Sequence, residues 1–168
     1  MTRYSTARAL AAVVTASGIL GAAGMAAAAD NASVTVNYEV QAINSIAIAG
    51  SAPTLTISAA TAGSAPTAVE DSSLTYAVTT NQSNRKIVGS LNTAMPSGLT
   101  LSAKLTAPTG ATGGTYVALD GTDKDLVTGI STLNESSLGM SLKLEATSAA
   151  GVKASASKTL TLTVVAGA

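Results

Sequence analysis

Asp120, Asp123 and Asp125 place three carboxylates within the six-residue run Asp120-Gly121-Thr122-Asp123-Lys124-Asp125. Carboxylate oxygens at that density are what Ca²⁺ takes as ligands, and Gly121 permits the tight turn that would gather them round one ion. The spacing is not that of an EF-hand, no Glu closes a twelve-residue loop, and Lys124 sits inside the run as a competing cation. The same residues read as a solvated turn between two strands. The turn is the working expectation, so no cofactor is expected, and calcium at Asp120, Asp123 and Asp125 is the metal candidate.

Other chemistry is scarce. The 168 residues contain no His and no Cys. That removes the commonest general base, the commonest metal ligand, the thiolate nucleophile and any disulfide framework. A Ser–Lys dyad is the remaining nucleophilic option, and no G-x-S-x-G elbow is present. A glycosidase needs two carboxylates in a cleft lined by rings. Glu39, Glu70, Glu135 and Glu145 supply carboxylates, but beyond the first thirty residues the aromatic residues are only Tyr38, Tyr76 and Tyr116. Tyr38 and Tyr76 fall on the apolar parity of their segments and are expected in or at the rim of a core. Arg85-Lys86 reads as the exposed start of a strand at Ile87. An enzyme is not expected. Nine basic residues balance nine acidic ones, which argues against a nucleic-acid partner that needs a basic face.

The elements that would position any site begin after a leader. Arg3 and Arg8 precede an apolar run from Ala9 to Gly21, and the small residues Ala26-Ala27-Ala28-Ala29 precede Asp30. A basic start, an apolar stretch and an A-x-A ending are the parts of a secretory signal peptide. Residues 1–29 are therefore expected to be cleaved, leaving residues 30–168 as a single domain with no membrane span. The expected location is outside the cell or on its surface, or the periplasm if the chain is retained there. Arg3 and Arg8 leave with the leader, so seven basic residues face nine acidic ones and the mature charge is −2.

Period two then runs through the chain. Val34, Val36, Tyr38, Val40 and Ala42 alternate with polar residues, which is the mark of a half-buried strand. Ile46 and Ile48 keep that parity toward Gly50. Further alternation appears at Leu55–Ile57, Leu74–Val78, Ile87–Leu91 and Leu99–Leu105, with short runs at residues 116–119 and 126–130. Leu138 to Ala146 and Leu160 to Val164 alternate most clearly and are read as a C-terminal hairpin closed near Gly151. Pro and Gly fall between the runs, and residues 58–73 and 107–115 read as loops. The outward positions are Thr and Ser, with 18 Ser and 21 Thr in residues 30–168, as expected for solvated faces of antiparallel sheets.

The expected fold is all-β, an antiparallel Ig-like β-sandwich of about eight to ten strands, with a closed barrel as second choice. Leader plus strand rhythm resembles bacterial exported Ig-like sandwich proteins and fibre subunits. The resemblance implies a structural role and carries over no functional residue. The chain lacks the cysteines of many usher-assembled pilins, an LPxTG ending and the Trp motifs of some wall-binding modules. The expected function is a secreted structural subunit of a surface layer, fibre or pilus-like assembly. Its partners would be other copies of itself or other surface proteins. Val34, Val36, Tyr38 and Val40 form the candidate assembly strand, because a strand at a free terminus can pair in a neighbour's sheet. The alternative is an extracellular adhesion or carbohydrate- or protein-binding module.

Overall fold

A computed structural model describes residues 31–168; the expected leader lies outside the described residues. The compact β unit spans Glu39–Ala168. Eight strands follow in order: β1 (Asn44–Ala49), β2 (Val69–Thr80), β3 (Arg85–Leu91), β4 (Leu99–Leu105), β5 (Val117–Ala118), β6 (Lys124–Ile130), β7 (Leu133–Ala146) and β8 (Leu160–Ala166). A five-stranded sheet has the order β1-β2-β7-β4-β5, and a three-stranded sheet the order β6-β3-β8. Every pairing is antiparallel. The protein is an all-β, antiparallel sandwich. Among the described residues no helix is long and apolar enough to cross a membrane.

Alternation decides which face each strand buries. Leu74, Tyr76 and Val78 of β2, Leu105 of β4 and Met140 and Leu142 of β7 point into one apolar layer. They meet Ile87 and Leu91 of β3, Leu126, Val127 and Ile130 of β6, and Leu162 of β8 from the other sheet. Tyr76 sits in this core as its parity predicts, and its hydroxyl donates to the Thr106 carbonyl at 2.6 Å. Burial, with the nearby Glu135 carboxylate as a smaller cause, pushes the Tyr76 pKa up to about 12. Gly98, at φ 82°, approaches the short 3₁₀ turn Ser148–Ala150 so closely that a Cβ would lie 2.6 Å from the Ala150 Cα.

Several expectations are corrected. Leu138 to Val164 is not a hairpin: β7 pairs with β2 and β4, whereas β8 pairs with β3 in the opposite sheet. Residues 147–159 between them are too many for a tight reversal, and they carry the chain across the sandwich. Val34 to Ala42 is not a half-buried strand, since no strand is assigned before Asn44. Leu55 and Ile57 lie in chain without strand assignment, yet Leu55 packs against the core. The loop expected over 58–73 ends earlier, because β2 begins at Val69.

Bulges explain the irregular ends. Asp71 pairs with Leu142 and Leu74 with Met140, three steps against two. The Asp71 carboxylate spans this bulge by accepting from the Ser73 N–H at 3.0 Å and the Ser73 hydroxyl at 2.6 Å. Those bonds, the hydroxyl's first, hold its pKa below the usual carboxylate range. A second bulge lies in β7, where Ser137 takes φ 58°; it breaks the alternation, so the strand starts five residues before its clear pattern does.

Two outcomes follow. Gly98→Ala should lower stability by about 1–3 kcal/mol through overpacking at a left-handed position, read from the urea midpoint. Because the folded pKa of Tyr76 is raised, its contribution is complete below about pH 10 and is lost as pH rises toward 12. Tyr76→Phe should therefore flatten the fall in stability between pH 9.5 and 11.5 relative to the unsubstituted protein.

Candidate functional site

The carboxylate run is a turn built on Asp120. Its carboxylate accepts from the Thr122 hydroxyl at 2.6 Å and the Thr122 N–H at 2.8 Å, and pairs with Lys124 at 2.9 Å. The Thr122 hydroxyl first, then Lys124, lower the Asp120 pKa to about 2. Asp125 is drawn to Lys86 on the neighbouring strand, 2.9 Å away. Asp123 is exposed. Among the described residues no group of three His, Cys, Asp or Glu side chains is placed to hold a metal ion. The sequence brings Asp120, Asp123 and Asp125 close along the chain, but Asp120 is paired with Lys124 and Asp125 with Lys86 on β3.

Two Ser-x-x-Lys spacings, Ser83–Lys86 and Ser155–Lys158, are also present. Neither joins its own ends: Lys86 pairs with Asp125, and Lys158 donates to the Thr93 hydroxyl. Such a spacing aligns side chains on a helix, not on extended chain. Glu145 pairs with Lys143 at 3.2 Å. The Lys104 and Lys143 ammonium groups stand 4.6 and 4.9 Å from the Tyr116 ring centre. That covers the ring as cation–π contacts do.

Val34, Val36, Tyr38 and Val40 are 85%, 71%, 93% and 79% exposed. Alternation records what a segment can do in a sheet, and pairing also requires an edge; residues 31–43 have no strand assigned. The lead-in to β1 is held at Asn81 and Asn44. Asn81 accepts from the Ile43 N–H at 2.8 Å through Oδ1 and donates through Nδ2 to the Gln41 carbonyl at 2.7 Å. Its own N–H donates to the Ile43 carbonyl at 3.3 Å. Asn44 adds a bond to Gln82 at 2.7 Å and accepts from the Thr80 hydroxyl at 2.8 Å. The sequence offered no sign of this bracket beyond a polar Asn81-Gln82 pair at a strand end.

The flanks of the sandwich differ. On one flank Thr112 and Thr128 exchange backbone bonds of 2.9 and 2.8 Å, and Leu119 and Asp120 bond to Leu101 and Leu91. These tie the β4–β5 side of one sheet to the β6–β3 side of the other. On the other flank β1 and β8 lie next to each other without a ladder between them. Ile46, Ala47, Ile48, Leu160, Thr161 and Leu162 line an open groove there of about 260 Å³. Compared with known proteins, the chain matches no family model, no curated protein and no solved structure.

Asp120 bonds to Thr122 and Lys124, and Asp125 to Lys86, and a calcium ion would have to displace these partners. Millimolar CaCl₂ should leave the thermal midpoint within about 1 °C of its value in EDTA if these partners hold; a rise of several degrees would assign the ion to these carboxylates.

Proposed function

We propose that this protein is a secreted structural subunit of a cell-surface layer, fibre or pilus-like assembly, joined by strand exchange between copies. The supporting observation is the exposure of Val34, Val36, Tyr38 and Val40. Four alternating apolar side chains in water are costly to leave without a partner, at roughly 1.5–3 kcal/mol for each that could be fully buried. Ladder hydrogen bonds add about 1 kcal/mol each. Association itself costs about 4–15 kcal/mol, so the segment gains a stable partner only where it both pairs its backbone and buries its side chains. A sheet edge beside an apolar groove meets both conditions. The adhesion alternative asks for a concave patch of Tyr, Asn and Asp. Tyr76 is in the core and the Tyr116 ring is covered by two lysines, so the observations favour assembly.

The full exported chain should form salt-stable, SDS-resistant ladders on a gel without boiling. Replacing Val34, Val36, Tyr38 and Val40 together by Ser should abolish the ladders while the thermal midpoint stays within about 2 °C. Monomers at high concentration for the unsubstituted chain would sink the reading.

A further inference from the structure

We infer that the outer face of the five-stranded sheet carries an oxyanion site, formed by Lys104, Lys143 and the Tyr116 hydroxyl, for a carboxylate, sulfate or phosphate group. The inference does not depend on the strand-exchange reading above.

Register places the three groups together. On β4 Leu101, Ala103 and Leu105 turn toward the core, so Ser102 and Lys104 turn outward. On β7 Met140 and Leu142 turn inward, so Ser141 and Lys143 turn outward. Ser102 stands opposite Lys143, and Lys104 opposite Ser141. The two lysines thus lie on a diagonal of one face, within reach of a shared neighbour. β5 pairs Ala118 with Ser102 and Val117 with Ala103. Tyr116, the next position, falls beside Lys104. Its ring is the one both ammonium groups approach, at 4.6 and 4.9 Å.

This face is unlike an ordinary solvated sheet surface. Ser102 and Ser141 point outward yet are only 4% and 8% exposed, so other side chains cover them. The Tyr116 hydroxyl is enclosed and has no hydrogen-bond partner among the described residues. Buried polar groups are nearly always bonded, and an unmet one is costly.

Charge is unmet as well. Lys104 pairs with no carboxylate among the described residues, and Lys143 pairs with Glu145, whose side chain is 46% exposed. Glu70 stands opposite Lys143 on β2 and makes no ion pair among the described residues. Two ammonium groups drawn to one ring repel each other. An oxyanion relieves that repulsion and accepts from both ammonium groups and from the phenol, in charge-assisted bonds. A metal ion would meet two cations here, and a neutral ligand would leave their repulsion in place.

The test is an NMR titration of the isotopically labelled full chain with sodium sulfate. Sodium chloride at the same ionic strength is the reference, because salt screens partly exposed charges. Saturable shifts at Ser102, Lys104, Tyr116, Ser141 and Lys143 with sulfate and not with chloride are expected. Lys104→Met and Tyr116→Phe should each weaken sulfate binding by about tenfold, the loss of one bond to a charged group. Glu145→Gln removes the carboxylate that competes for Lys143 and should tighten binding. Acetate and a polyuronate distinguish the source: a lower midpoint per carboxylate for the polymer supports a polymer-borne group, and equal midpoints support the small ion. Shifts that follow chloride as closely as sulfate, or that spread evenly to the loop lysines Lys153 and Lys158, would overturn the site. So would binding unchanged in both Lys104→Met and Tyr116→Phe.

Discussion

The protein depends on one apolar layer between two sheets. It contains no cysteine, so no disulfide constrains the unfolded chain, a staple that small exported domains often carry. Cohesion falls to side chains such as Tyr76, Ile87, Leu105, Ile130 and Met140, all fully enclosed. Few of the core residues are aromatic, so branched and straight aliphatics fill the space between the sheets. Gly89 shows how close the fit is: a Cβ there would come within 2.6 Å of Leu126, so the missing side chain is what lets Leu126 settle beside β3.

That layer also explains the unequal flanks. Chain passing from β4 through residues 111–120 to β6 stitches one side with backbone bonds. On the side at β1 and β8 no ladder joins the two sheets among the described residues. Ile46, Ile48, Leu160 and Leu162 line the groove left on that flank.

Much of the strand content was legible because period-two burial is local. Leu99, Leu101, Ala103 and Leu105 announce β4, and Leu138 to Leu144 announce most of β7. Pairing was not legible, because it depends on which edges meet. Leu160 to Val164 alternates as cleanly as Leu138 to Leu144, yet the two segments lie in different sheets, and nothing in their residues distinguishes a hairpin from a crossing. Val34 to Val40 has the same pattern again and is exposed. Bulges hid the rest: Ser137 at φ 58° interrupts a strand that continues back to Leu133. The carboxylate run was visible as three nearby Asp, but whether they converge depends on Lys86 and Lys124, which the fold brings to Asp125 and Asp120.

The Asn81 bracket has a mechanical meaning. By bonding to Gln41 and Ile43 it continues the line of β1 past the end of its ladder. A pull entering along that line would be carried down the strand axis and shared among the six β1–β2 pairs from Asn44↔Thr80 to Ala49↔Thr75. A pull entering sideways would break them singly, as a zip opens. The bonds at Asn81 and Asn44 thus bias the direction in which tension reaches the sheet, and a sheet sheared along its strands resists far greater force than one that is peeled.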